Sequence, residues 1–313
     1  MTGYLVRRVL LCIPILLAVL TLVFLLVRVA PGDPAVAALG DYASKEAVEA
    51  LREKMGLNAP LYVQYFRFLG GLLHGDLGRS LITSKPVATQ IASVLPYTLE
   101  LTISGIILGS ILGVPLGILT ALKRNSVVDY MGRVFSLTGL SVPAFYLGIM
   151  LLLLFPIKLG VFPVVGGGDL SNIGETLYYL FLPALTLALI MMSYVTRMTR
   201  SSMLDILNED YVRTARAKGL RERIVVYKHV LRNALLPILS VVGMFSIVLI
   251  GSSVMTEVVF SRPGLGKMLV GAMKQRDYIM LQSIMVIFSS IVVFINLFTD
   301  LAYGIVDPRI RYD

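Results

Sequence analysis

The sequence predicts an all-α integral membrane protein with six transmembrane helices and a helical extracytoplasmic segment after the first of them. Three observations carry that expectation. Hydrophobic residues make up 57% of the 313 residues and charged residues only 15%, where a soluble globular chain carries about 25% charged residues. Mean hydropathy is +0.82, so the apolar surplus exceeds what a water-facing surface can cover and lipid is the natural solvent. The apolar residues are gathered into long runs of about the 20 residues that a bilayer crossing needs.

Taken in order, the first run is Val9–Val29, preceded by Arg7 and Arg8. It is too long for a signal-peptide core, and Ala30-Pro31-Gly32-Asp33 does not offer a small-residue cleavage site, so it is expected to stay as a helix. The remaining runs are Tyr97–Leu122, Val134–Phe155, Leu177–Val195, Leu235–Val258 and Met280–Ile305. The expected organisation is residues 1–30 as tip and first helix, 31–95 as an extracytoplasmic segment, and 96–313 as a membrane core with a polar loop near 198–234. In the 31–95 segment, Ser44 precedes the charged run Lys45–Met55 and Gly56 follows it, an N-cap and a glycine stop. Pro60 opens a second amphipathic run with Leu61, Tyr65, Phe68 and Leu69 at helical spacing, and Gly70-Gly71 is expected to end it. These helices either lie on the membrane, pack onto the spans or dock an external protein.

Basic residues set the expected orientation. Nine Lys or Arg lie between Arg197 and Arg232, and Lys123 and Arg124 follow the second run, against a lone Lys158 in the next short loop. Cytoplasmic loops collect Lys and Arg, so both termini are placed in the cytoplasm. The same rule accounts for the net charge of +9 without nucleic acid as a partner.

Chemistry-bearing motifs are sparse. No G-x-x-x-x-G-K-[ST] string occurs; Arg262-Pro263-Gly264-Leu265-Gly266-Lys267-Met268 lacks the first glycine and the Ser or Thr, and reads as a turn. No G-x-S-x-G elbow exists. His74 and His229 fall on opposite sides of the membrane, and the single Cys12 rules out an intrachain disulfide. No metal site, cofactor site or catalytic residue is expected, so the chain is not expected to be an enzyme. Carboxylates within spans are the usual pointers to function. Glu100, Glu257 and Asp300 qualify, but they sit near span ends, which favours structural pairing or capping over a proton relay. Gly109, Gly113, Pro115 and Gly117, with Pro143, Pro183, Gly243 and Gly251, suit close packing and local bends.

The polar loop carries most of the functional signal. Span four extends through Arg200–Leu207, and Asn208-Glu209-Asp210 offers caps for a new short helix. There Tyr211, Ala215 and Leu220 alternate with Arg213, Arg216 and Lys218, and Gly219 permits a sharp exit. Such a helix can seat in a groove of a soluble partner. Nine basic residues could instead bind anionic lipid, but Asp205, Glu209, Asp210 and Glu222 interleave with them.

Asp210–Leu220, followed by Arg232-Asn233-Ala234-Leu235-Leu236-Pro237, resembles the EAA loop of ABC importer permeases of the dipeptide, oligopeptide and nickel branch. Ala215 and Gly219 match the general pattern, while Arg213 and Thr214 stand where Glu-Ala would fall, as is usual in that branch. Similar matches are Ala30-Pro31-Gly32-Asp33-Pro34, Gly56-Leu57 with Pro60-Leu61, Gly75-Asp76-Leu77-Gly78, Arg262-Pro263-Gly264-Leu265-Gly266, Arg276-Asp277-Tyr278 and Asp307-Pro308-Arg309. The resemblance spans the whole chain. It implies a six-helix type I permease in a bacterial cytoplasmic membrane, paired with a second, similar permease. It also implies two ATPase subunits that bind ATP and Mg, and an extracytoplasmic substrate-binding protein. Residues implied in the ATPase contact are Asp210, Tyr211, Arg213, Ala215, Arg216, Gly219 and Leu220. An ion-coupled carrier and a non-transporting assembly factor are the alternative classes. The branch carries dipeptides, longer peptides, nickel chelates, glutathione and opines, and the sequence does not choose among them.

Overall fold

A computed structural model describes residues 2–29, 34–39 and 43–306. The Ala30–Asp33 stretch, Asp307-Pro308-Arg309 and the C-terminal Arg311 lie outside those residues. The helices in chain order are α1 (Thr2–Val29), α2 (Pro34–Leu39), α3 (Lys45–Lys54), α4 (Leu61–Leu73), α5 (Val87–Leu122), α6 (Val127–Ser141) and α7 (Ala144–Leu152). They continue as α8 (Ile173–Leu207), α9 (Asp210–Ala217), α10 (Glu222–Ile224), α11 (Leu231–Val259), α12 (Leu265–Gln275) and α13 (Tyr278–Val306). Wide π-helical turns at Leu153–Lys158 and Val225–Val230 extend α7 and lead into α11. Among the described residues the one β contact is an isolated bridge between Arg79 and Pro86.

Five helical stretches are long and apolar enough to cross a bilayer: Arg7–Val29, Val87–Leu122, Ile173–Leu207, Glu222–Val259 and Tyr278–Gly304. The expected third span is not one rod. It is α6 and α7 with its extension, bent by 105° between Ser141 and Ala144. Pro143 has no N–H and disfavours helical conformation at the residue before it; Val142 sits at ψ 123. A sixth span exists only if the bent pair is counted as one.

The chain divides into two compact units, one of Met1–Arg8, Leu99–Arg262 and Phe294–Asp313, the other of Val9–Thr98 and Pro263–Val293. In the first unit the core forms along α8, where Leu187, Met191 and Val195 are fully buried. Opposite them α5 presents glycine at every fourth position. A Cβ at Gly105 would lie 2.7 Å from Leu187 Cβ, one at Gly109 2.5 Å from Met191 Cβ, and one at Gly113 2.8 Å from Val195 Cβ. Gly117 meets Thr199 in the same way. Those separations are inside van der Waals contact, so only glycine lets the two backbones come this close. Thr196 Oγ1 uses the approach to donate to Gly113 O at 3.3 Å.

The second unit has its own core of Val87, Ile91, Leu265, Ala272, Met280 and Ile284. Here α4 packs onto α1: Phe24 stacks on Phe68 at 5.7 Å between ring centres, and Thr21 Oγ1 and the Tyr65 hydroxyl are hydrogen-bonded at 2.6 Å. Ser44 caps α3 by accepting from Ala47 N, and Gly56 takes φ +68 after it. The glycine pair Gly70-Gly71 does not end α4, which runs on to Leu73 before Gly75 at φ +73. An interior glycine costs a helix about 1 kcal/mol, and Leu69 and Leu72 offset it by packing beside Leu20 and Val23. No sequence expectation covered α12. Asp277 closes the turn after it: its carboxylate accepts from Ser80 Oγ at 2.5 Å and from Met280 N at 3.1 Å, capping α13.

Gly113→Leu is expected to weaken the α5–α8 contact by about 1–3 kcal/mol through overpacking, measured as a lowered midpoint in denaturant unfolding of the detergent-solubilised protein. Gly251→Ala is the contrast. A Cβ there meets nothing within 4 Å, so the same measurement should show no loss, or a gain of up to about 1 kcal/mol from helix propensity.

Candidate functional site

The polar loop folds as a short helix held against the turn Val225–Val230. Glu209 occupies the N-cap position without a side-chain cap bond, and α9 runs for 8 residues from Asp210 to Ala217. An isolated helix of that length is unstable in water, so its order comes from tertiary contact. Val212 is fully buried and Ala215 is 8% exposed. Both belong to one apolar core with Met203, Val225, Val226 and Val230. Tyr211 tethers the start of the helix: Asn233 Nδ2 donates to its hydroxyl at 2.7 Å, and the hydroxyl donates to His229 O at 3.4 Å.

At the other end Gly219 takes φ +75, a left-handed conformation that glycine adopts without Cβ strain. Gly219 N donates to Arg216 O at 2.9 Å and Leu220 N to Ala215 O at 3.4 Å, closing the helix. Arg216 then clamps the turn with a two-pronged bond to Glu222, Nη2 to Oε1 at 2.8 Å and Nε to Oε2 at 3.2 Å. The carboxylate holds the Arg216 guanidinium above its ordinary pKa.

The expected site residues thus divide by orientation. Ala215 faces the core and seats the helix. Asp210, Tyr211, Arg213, Arg216, Gly219 and Leu220 are exposed. Asp210 and Arg213 form a loose pair at 3.5 Å, worth well under about 1 kcal/mol at such exposure. The outward face therefore carries charges of both signs, much of them paired, with Leu220 38% exposed beside it.

Between α6 and α8 lies an ion pair for which the sequence set no expectation. Asp129, fully buried near the start of α6, accepts from Arg200 of α8 at both oxygens, from Nε at 2.6 Å and Nη2 at 2.9 Å. Arg133 approaches the same carboxylate at 3.7 Å. Asp129 Oδ2 also accepts from Asn125 N at 3.0 Å, while its own N–H donates to Ser126 Oγ at 3.4 Å. Ser126-Val127-Val128-Asp129 is a capping-box string, and that signal could have singled Asp129 out.

The carboxylates expected inside spans occupy three settings. Glu100 accepts from Arg262 Nη2 at 2.7 Å; Arg262 is fully buried and also donates to Gly167 O at 3.3 Å. Asp300 meets Arg8 at 2.7 Å. Glu257 is fully buried in α11. No group of three or more metal-ligating side chains occurs among the described residues.

Residues 113–312 match the family described as binding-protein-dependent transport system inner membrane component, and residues 1–102 match its N-terminal counterpart. The dipeptide transport system permease protein of Alkalihalophilus pseudofirmus is 40% identical over 333 residues, covering 100% of both chains. The oligopeptide transport system permease protein of Bacillus subtilis is 43% identical over 316 residues, again 100% of both. The glutathione transport system permease protein of Pectobacterium atrosepticum is 42% identical over 312 residues and covers 100% of both. Among solved structures, the inward-facing MetNI methionine ABC transporter aligns with a TM-score of 0.57 at 20% identity, over 72% of this chain and 100% of that one. An amino acid ABC transporter aligns at 0.50 and 18% identity, over 71% and 94%. At these identities the structural likeness speaks for the fold.

Arg200→Met is expected to cost about 3–5 kcal/mol because it strands a buried carboxylate. Arg133→Met, whose side chain is 50% exposed, should cost less than about 1 kcal/mol. Denaturant unfolding of the two variants in the same detergent checks the contrast.

Proposed function

The chain belongs to the family of binding-protein-dependent transport system inner membrane components, and on that premise we propose that it forms half of the passage of an ATP-driven peptide importer and receives its driving force through α9. Full-length identity of 40–43% to dipeptide, oligopeptide and glutathione permease proteins supports the substrate class. A second, similar permease supplies the other half, two ATPase subunits bind ATP and Mg, and an extracytoplasmic binding protein delivers the ligand. Dipeptides, longer peptides and glutathione are the leading cargoes; nickel chelates and opines remain within the branch. The chain works as a multi-pass subunit of the bacterial cytoplasmic membrane with both termini inside, and it has no nucleotide site of its own, in keeping with a sequence without a P-loop.

The single observation that carries the coupling role is the way α9 is held. A helix that transmits force has to be stiff at its root and exposed at its working face. Val212 and Ala215 root α9 in the apolar core, Tyr211 and the Arg216–Glu222 clamp fix its two ends, and the exposed residues between them are free to meet an ATPase groove. Movement of that groove would then pass through α9 into α8 and α11, the two spans it joins. The pairing of Glu100 with Arg262 and of Asp300 with Arg8 supports this reading over an ion-coupled carrier, because a carboxylate held by a guanidinium is a poor proton relay.

Gentle purification of the tagged chain should bring down an ATPase pair and a sister permease; recovery of the chain alone, still competent for transport, would instead favour the ion-coupled carrier. Gly219→Asp places a side chain and a negative charge at a positive-φ turn that has open space around it. The complex should assemble normally, while substrate-stimulated ATP hydrolysis and uptake fall at least about tenfold, a loss of about 1.4 kcal/mol of coupling. Wild-type uptake in that variant would remove α9 from the coupling path.

A further inference from the structure

At the end of the membrane core nearest α9, a cleft of about 250 Å³ opens between α6 and α8. Its wall carries Arg133, Arg197, Arg200, Ser136, Thr196 and Ser201. Three guanidiniums line the cleft, and the carboxylate that meets two of them is Asp129, so the cleft holds two positive charges in excess. Arg200 is committed to Asp129, and Arg133 touches that carboxylate only at 3.7 Å. Arg197 is exposed and forms no ion pair among the described residues.

The depth of the cleft is informative. The stretch of α8 from Leu177 to Val195 contains no charged residue. At about 1.5 Å per residue it spans close to the 30 Å of a hydrocarbon core. Arg197 and Arg200 therefore begin where the hydrocarbon ends, at the level of lipid headgroups. The flank of the cleft is apolar and open: on α6, Met131 is 60% exposed and Leu137 58% exposed. A ligand that satisfies both features has an anionic head and an apolar tail. An extended peptide fits poorly, since the cleft is smaller than the roughly 300–1,000 Å³ of ordinary small-molecule sites.

We propose that this cleft binds the headgroup phosphate of an anionic phospholipid, with Arg197 and Arg133 as its ligands and the acyl chains lying along α6. Arginine forks suit phosphate oxygens, and basic pockets between membrane helices suit anionic headgroups. The site rests only on the chain being membrane-embedded, not on its role as an importer. Binding there would brace α6 against α8 beside the buried pair that supports the loop helix.

The test uses the assembled complex, stripped of lipid in mild detergent and titrated with phosphatidylglycerol or phosphatidylcholine under native mass spectrometry. Phosphatidylglycerol should bind saturably and phosphatidylcholine should not. The Arg133→Gln, Arg197→Gln double variant should weaken phosphatidylglycerol binding about thirtyfold, at about 1 kcal/mol for each cation near the surface. Should that variant fail to assemble, Arg197→Gln alone should weaken it about fivefold. Unchanged affinity in the variants overturns the proposal. So does inorganic phosphate that binds as tightly as the lipid, which would make the cleft a site for free anions, or displacement of the lipid by an acidic peptide. Stimulated ATP hydrolysis, measured on the same samples, reports separately on the importer reading.

Discussion

The close approach of α5 to α8 is the constraint from which the rest of the membrane core follows. In lipid there is no hydrophobic drive to bring two apolar helices together, because the tails around them are as apolar as their side chains. Contact area has to come from shape. Glycines 105, 109, 113 and 117 strip one face of α5 to backbone, and Leu187, Met191, Val195 and Thr199 fill the groove this leaves. With α8 fixed in that way, α6, α7 and α11 pack around it, and its far end becomes a stable platform for the loop that follows.

Charge is placed in this core with equal economy. An unpaired ion in a low-dielectric interior costs several kcal/mol, yet Asp129 and Arg262 are both fully buried. Asp129 is met by two prongs of Arg200, and Arg262 meets Glu100 and a backbone carbonyl. Such pairs are weak evidence of net stability, but they fix register, since sliding one helix by a single turn would strand both charges. The Asp129–Arg200 pair lies within two turns of the end of α8 and so sets the position from which α9 departs. Stiffness at that point is what a lever needs if force applied to its exposed face is to reach the spans.

Much of the fold was legible because bilayer physics writes it in long, simple runs. Five expected spans coincide with long apolar helices, and the Ser44 cap and the Gly56 stop behave as their chemistry requires. The third span was placed at Val134–Phe155 with Pro143 as a residue that suits a bend; the structure puts the bend there, and at 105° it divides the stretch into two helices. The end of α4 was misplaced because a glycine pair is a local signal, and packing on α1 outweighs it. In the candidate site, the short helix, its glycine exit and its mixture of acidic and basic residues were all readable. Val212, the residue that roots the helix, was not, because one valine in a charged run carries no signal until its neighbours are known.

The sequence by itself determined that this chain lives in a membrane, where its long apolar runs lie, and that Asp210–Leu220 is a short polar helix with a glycine exit. Those properties follow from composition, run length and local turn chemistry, each of which acts over a few residues. Only the tertiary structure decided which charges are partners, that Ala215 points inward while Arg213 points out, and that Arg133, Arg197 and Arg200 share one cleft. The ion pairs depend on residues far apart in the chain being brought within bonding distance, as Asp129 and Arg200 (71 apart) and Glu100 and Arg262 (162 apart) are. Distance along the chain carries no energy until packing closes it.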